Sequence, residues 1–391
     1  MGDGLNVFLI AGEPSGDALG AEVMKGLKTR NQDVQFSGVG GPLMQAEGLV
    51  SLFPMQELSV MGLAEVLPRL PSLLARVRET SNRIISTRPD VLLTIDSPDF
   101  CLRVARKVRS MNPEQRIVHY VAPSVWAWRP ERATKMAPIV DQVLCLLPFE
   151  PPFMKKAGMR ADFVGHPLSQ TKKPKYDDVF NFREHHGIDA DANILLALPG
   201  SRRGEVERLS SVFGLALKKH LTEFPNTRVI VPTVAPIADR VRTLAGEWPG
   251  GPIVLCPTGD TEADQREKAL AFAAADLALA ASGTVSLELA AYATPMVIAY
   301  DMNWLSRRII ASKLLIDTVT LVNLVSETRT IPEHLGNDCT PDAIAESLSK
   351  VRRHPVGQSR AMSLTMMRLG KGGAAPGLRA ADAILDGISY L

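Results

Sequence analysis

The sequence predicts an α/β protein of two doubly wound, Rossmann-like domains facing a cleft, followed by a helical C-terminal segment. Three observations predict it. Short apolar runs rich in Val, Ile and Leu recur from end to end, alternating with longer segments of helical pattern. The alternation stops once, in a polar stretch around 165–192 that contains GHPLSQTKKPKYDD, and then restarts. The length of 391 residues suits two domains or slightly more.

In the first half, strands are expected at 6–11, 34–39, 91–95, 117–121 and 142–146. In the second they are expected at 194–198, 228–231, 253–256, 277–280 and 296–299. Apolar runs of this kind fit strands buried on both faces, and the intervening stretches are long enough for crossover helices, so each sheet should be parallel. In an open parallel sheet, ligands bind beyond the carboxyl ends of the strands. After residue 340 helices are expected at 341–353, 357–370 and 374–388. The domain limits are therefore drawn at 1–168, 169–340 and 341–391, with the last segment packing back on the N-terminal domain or on a partner chain.

Composition narrows the function classes. Lys and Arg total 44 against 42 Asp and Glu, a net charge of +2, so there is no broad basic field for a nucleic-acid partner. The four cysteines, at 101, 145, 256 and 339, form no paired motif, which favours reduced thiols over zinc or disulfides. The start, MGDGLNVFLIAGEPSGD, lacks the cationic segment and long apolar core of a signal peptide. The apolar region 269–300 is broken by Asp276, Glu288 and Pro295, so it does not read as a membrane span. The chain is expected to start and stay on the cytoplasmic side.

Several loops at strand ends could carry chemistry. AGEPSGDALGAE follows the first strand, and Ser15 and Gly16 sit where a helix opens and its free N–H groups could bind a polar group. The spacing is not G-x-G-x-x-G, so this is no dinucleotide fingerprint. The strand ending in TI runs into Asp96, an acid at the sheet's functional edge that fits a general base; Asp99 fits a helix-terminus stabiliser better. His119, Tyr120, Trp126, Trp128 and Arg129 gather aromatic faces and a cation near one loop, compatible with a binding surface or with core packing.

In LPGSRRGEVERL, Ser201, Arg202 and Arg203 open a long helix. Cations are disfavoured at a helix N-terminus unless an anion such as a diphosphate reverses the local sign. A second strand–glycine–helix unit offers Ser282, Gly283 and Thr284 to a phosphate and Glu288 to a ribose hydroxyl. No histidine or carboxylate spacing suggests a metal site, and no cofactor is expected. Finally, residues 66–88 carry five arginines against one glutamate, with leucine, valine and isoleucine at helical spacing. Arg69, Leu73, Leu74, Arg76 and Val77 lie on this stretch, which could meet acyl chains or anionic headgroups, or pack as an ordinary helix.

Taken together, AGEPSGDALGA, GVGGPLMQAEG, VMGLAEVLPRLP, TIDSPDF, HYVAPSVWAWR, LPFEPPF, FVGHPL, LPGSRRGEVE and LAASGTVSLELA resemble the lipid-A-disaccharide synthase family in order and spacing, and LVNLV at 321–325 extends the match. The resemblance implies a GT-B glycosyltransferase, with an N-terminal domain for the acceptor and its lipid and a C-terminal domain for the UDP-sugar. It implies joining of UDP-2,3-diacylglucosamine to 2,3-diacylglucosamine 1-phosphate with release of UDP, without a metal. It also implies peripheral attachment to the inner face of the inner membrane, and it leaves a homodimer open. Asp96 matches the family's essential acid, Arg202 the arginine of P-G-S-R, Ser15 the serine of G-E-x-S-G-D and Asn323 the asparagine late in the second half. Arg203 stands where a small residue is frequent, and Val322 replaces the usual proline before the asparagine. Two rivals keep the fold: another UDP-sugar transferase or epimerase, and a non-enzymatic nucleotide-sugar-binding module.

Overall fold

The computed structural model describes residues 4–58, 63–302 and 314–389, without the side chains of 63–69 and 389. The chain divides into two compact units, Met1–Pro167 with Gly372–Leu391, and Leu168–Lys371.

The first unit is a seven-stranded sheet of β1 (Asn6–Ala11), β2 (Gln35–Val39), β3 (Val50–Ser51), β4 (Val91–Ile95), β5 (Ile117–Tyr120), β6 (Gln142–Cys145) and β7 (Arg160–Phe163). Its order is β3-β2-β1-β4-β5-β6-β7, and among the described residues every pairing is parallel, as in Phe8 opposite Leu92. The crossovers carry α1 (Pro14–Arg30), α2 (Pro42–Ala46), α3 (Leu63–Thr87), α4 (Pro98–Met111), α5 (Glu131–Met136) and α6 (Pro151–Lys156). β1 shows why the apolar run is uninterrupted. Phe8 and Ile10 enter one core layer while Val7, Leu9 and Ala11 enter the other, so both faces of the strand are covered.

The second unit holds β8 (Asn193–Leu198), β9 (Thr227–Pro232), β10 (Ile253–Leu255), β11 (Leu277–Ala281), β12 (Met296–Tyr300) and β13 (Glu333–Leu335), in the order β10-β9-β8-β11-β12-β13. These pairings are parallel too. Its helices include α7 (Tyr176–His185), which occupies part of the expected linker, α8 (Arg203–Glu223), α9 (Ala238–Ala245), α10 (Thr261–Ala274) and α11 (Val285–Tyr292).

The C-terminal helices part company. Those at Pro341–Arg353 and Val356–Arg368 belong to the second unit, where the Gln358 amide accepts from the Met296 N–H at 2.7 Å and donates to its carbonyl at 2.9 Å. The helix Pro376–Ser389 instead packs along α1, burying Ala380, Ala381 and Ile384 in the same core layer as Leu9. Arg30 bonded to Asp382 at 2.6 Å adds a fixed register to that apolar contact. Among the described residues, no helix is long and apolar enough to cross a membrane.

One buried acid organises the first unit. Asp17 on α1 is 2 % exposed, and its carboxylate accepts from the N–H groups of Gly41 (2.9 Å), Leu43 (3.0 Å) and Met44 (3.0 Å) at the start of α2. It thus caps a helix that has no cap of its own. Asparagine keeps the shape but turns an N–H₂ toward these donors. Asp17→Asn is therefore expected to lose about 2–3 kcal/mol of stability, read as a fall in the urea midpoint with an unchanged slope.

Candidate functional site

In the first unit, strand order reverses between β1 and β4, and the loops after these two strands meet there. An ideal Cβ at Gly12 would lie 2.6 Å from Ser97 Oγ, so the meeting depends on a residue without a side chain. Ser15 is exposed in the first turn of α1, behind the N-cap Glu13, and Gly16 follows it, buried. Asp96 and Ser97, directly after β4, both have left-handed backbones, with φ of +50° and +42°. Two consecutive non-glycine residues in that region carry local strain and are held by their surroundings. The holding contacts are Asp96 N–H to the Tyr120 carbonyl at 2.9 Å, and Phe100 and Cys101 N–H to the Ser97 carbonyl at 3.1 and 3.0 Å. The Asp96 side chain is half-buried at the carboxyl edge of the sheet, beside the start of α4.

The aromatic loop divides by role. His119 is buried at 2 % exposure, its Nδ1 lies 2.8 Å from Thr94 Oγ1, and burial pushes its pKa down to about 4, so it is a neutral core residue. Trp126 packs edge-on against Phe149 and donates to Glu150 at 3.4 Å; burial pushes the Glu150 carboxyl up to about 7.

The basic apolar stretch is narrower than its sequence suggests. Arg69 lies outside the residues whose side chains are described. Val77 is in the core, and Arg76 is bound to Glu57 at 2.8 Å and Glu79 at 2.6 Å while stacking on Phe53 at 4.4 Å. Both turn inward because this face of α3 closes the sheet. Leu73 is half-buried, and Leu70 and Leu74 are exposed at 38 % and 41 %.

In the second unit, strand order reverses between β8 and β11, and the loops after them line a cavity of about 440 Å³. Gly200, Ser201 and Arg202 come from the first loop, and Ser282, Gly283 and Thr284 from the second, with Glu288 one turn into α11. The sequence expectation thus converges on one place for six of these residues, all but Gly200. Glu205 and Lys268 in the cavity wall, and Tyr300 bonded to Glu205, had no sequence expectation there. Glu205 takes up the start of α8, accepting from Ser201 N–H at 3.3 Å and Arg202 N–H at 3.4 Å and binding the Arg202 guanidinium at 3.2 Å. Tyr300 donates its hydroxyl to Glu205 at 3.3 Å. Lys268 on α10 enters the cavity wall and binds Glu288 at 2.5 Å. Gly200 permits this packing: its φ is +119°, and a Cβ there would lie 2.7 Å from Glu205 Oε2. An acid three residues after an N-cap is a visible capping signal, overlooked beside the arginines.

Two expected ligand contacts are not at the cavity. Arg203 is 77 % exposed and turns along α8 to Glu207 at 2.9 Å. Asn323 is 1 % exposed, and its amide is spent on its own chain, donating to Thr318 Oγ1 at 3.2 Å and the Ile331 carbonyl at 3.0 Å and accepting from Ile331 N–H at 3.0 Å. Its amide thereby clasps Thr318 and Ile331 together. Val322 sits at the second position of the helix Leu321–Ser326, where an N–H has no intrahelical partner, so a proline there would cost no helical hydrogen bond.

Paired doubly wound units, the second with strand–glycine–helix loops and cations at its switch point, define the GT-B class of fold, to which sugar-nucleotide glycosyltransferases belong. Solved structures share it: UDP-GlcNAc 2-epimerase from Neisseria meningitidis bound to UDP-GlcNAc, at TM-score 0.61, 11% identity and 99% of both chains; and Acinetobacter baumannii MurG, at TM-score 0.53, 13% identity, 99% of this chain and 100% of that one. At such identities the likeness shows the fold alone. The profile of lipid-A-disaccharide synthetases matches residues 7–366. Lipid-A-disaccharide synthase of Ruegeria pomeroyi is 59% identical over 98% of this chain and 95% of its own, and that of Rhodospirillum centenum 43% identical over the same shares. The chain belongs to the lipid-A-disaccharide synthetase family, and it is a glycosyltransferase of lipid A biosynthesis.

Proposed function

We propose that this chain transfers the sugar of UDP-2,3-diacylglucosamine to the 6-hydroxyl of 2,3-diacylglucosamine 1-phosphate, with Asp96 as general base and the cavity of the second unit as the UDP seat. The acceptor's 6-hydroxyl gives its proton to the Asp96 carboxylate as O6 attacks the anomeric carbon of the donor. The bond from that carbon to the diphosphate breaks, UDP leaves, and the α-linked sugar becomes a β-glycoside. The observation that carries the reading is the cavity at the switch point between β8 and β11, where Arg202, Lys268 and the start of α11 supply positive ends to a diphosphate. Ser282 and Thr284 offer hydroxyl and N–H donors, and Glu288 suits a ribose hydroxyl. The left-handed Asp96 at the other switch point supports the choice of base, because strain of that kind is retained where geometry must be held. Ser15 and Gly16 open a helix beside it and fit a sugar hydroxyl. Leu70, Leu73 and Leu74 fit a shallow contact with acyl chains at the inner face of the inner membrane, without insertion.

The test incubates purified protein with both acylated glucosamines in neutral detergent, without added metal, and weighs the products. A disaccharide monophosphate formed mole for mole with UDP is the expected outcome. UDP-sugar epimerised without any disaccharide would transfer the assignment to the epimerase reading, and binding without turnover to the sensor reading.

A further inference from the structure

A second cavity, of about 530 Å³, lies in the first unit between α4 and α5. Arg103 and Arg106 reach it from α4, Arg129 from the loop ahead of α5, and Arg132 and Lys135 from α5. Only Asp99 and Glu131 oppose them in its walls. By contrast, Arg76, Arg109 and Arg160 of the same unit each bind a carboxylate at 3.0 Å or less. None of the five cations around the cavity forms an ion pair among the described residues. Two of them are nonetheless positioned, since Arg129 and Arg132 stack on Trp128, at 4.2 and 5.2 Å from its ring centre. Arg129 does so with a left-handed backbone, φ +52°. Unpaired like charges around one concavity repel each other until an anion fills it, and planar guanidinium groups match phosphate oxygens in pairs.

Position identifies the anion. Pro98 and Asp99 line this cavity and follow Asp96 by two and three residues. On a pyranose, the 6-hydroxyl and the anomeric substituent flank the ring oxygen. A base on the 6-hydroxyl therefore requires the seat for the anomeric group to be next door. Arg103 stands about 7.5 Å along α4 from Pro98, and helical side chains lean back toward the N-terminus, which brings its guanidinium toward that seat. We propose that the cavity between α4 and α5 holds the phosphate monoester of the acceptor, with Arg103, Arg106 and Arg132 determining the preference for a phosphorylated sugar. The inference rests on the proposed function for the identity of the acceptor and for Asp96 as the base on its 6-hydroxyl.

The test compares the full chain with Arg103→Ala/Arg106→Ala, both exposed positions, in neutral detergent. Acceptors with and without the anomeric phosphate are assayed, and binding of glucosamine 1-phosphate and of glucosamine is measured by calorimetry. The expected result is a KM for the phosphorylated acceptor raised about ten- to a hundredfold, loss of glucosamine 1-phosphate binding, and an unchanged KM for the UDP-sugar. Equal losses with both acceptors, or none, would overturn the proposal. So would an intact KM together with lost binding to phosphatidylglycerol vesicles, which would make the cluster a headgroup contact. If the wild-type chain makes no disaccharide yet binds glucosamine 1-phosphate and the variant does not, the site stands and the acceptor assignment fails.

Discussion

Asp96→Asn is expected to lower the rate of UDP release by about a thousandfold, within the range for loss of a positioned general base, while the KM for the UDP-sugar stays within a factor of about two. The substitution is chosen for its backbone. Position 96 has φ +50°, a region that asparagine enters readily and alanine does not, so the amide replaces the acid without disturbing Ser97 or the hydrogen bond to the Tyr120 carbonyl. Size and shape are kept, and only the capacity to take a proton is removed. The urea midpoint should therefore match that of the wild type. A rate loss below about tenfold would move the base elsewhere, and a rate loss accompanied by a lower midpoint would reassign Asp96 to holding the loop.

The difference between Asp96 and Asp17 marks what the sequence could convey. Asp96 ends an apolar run, and a carboxylate at the carboxyl end of a buried strand is conspicuous because the strand's position is itself legible. The central strands β1, β4, β8 and β11 are readable for the same reason, since both of their faces must be apolar. With them come the two switch points, and the loops that line the 440 Å³ cavity. The strands not expected, β3, β7 and β13, are short and polar at VS, RADF and EHL; lying at sheet edges, they need less apolar cover. Asp17 stands in sequence as one more acid at the start of a helix, yet its partners lie 24 to 27 residues away at the start of α2. No local spacing encodes that distance.

The same limit explains Asn323 and Arg76. Each has a residue type suited to a ligand, and each is consumed by partners on other elements that only the fold brings near. Arg203 differs from Arg202 for a more local reason. The pair of arginines reads as one feature in sequence, but the N-cap separates them: Arg202 precedes the helix and faces the cavity, while Arg203 begins it and follows its outer surface.

That separation sets the second large effect. Arg202→Ala is expected to lower kcat/KM for the UDP-sugar by about a hundredfold or more, the cost of removing one fixed donor from a developing anion, whereas Arg203→Ala should change it by less than about twofold. The size of the Arg202 effect comes from Glu205. Its carboxylate already occupies the start of α8, held by two backbone N–H groups, so an incoming diphosphate meets a negative charge there. Arg202, 71 % exposed and bound to Glu205 at 3.2 Å, is the adjacent group that can offset both anions at once. Removing it withdraws a contact and leaves two like charges facing each other. The two contributions separate in a double-mutant cycle. In the Arg202→Ala background, Glu205→Gln should recover about tenfold of the loss by removing the repulsion, although in the wild-type background the same change should only weaken the loop that Gly200, Ser201 and Tyr300 build around it. Additive losses from Arg202→Ala and Glu205→Gln would instead mean that the carboxylate never meets the diphosphate, and would place the UDP charge at Lys268 and the start of α11.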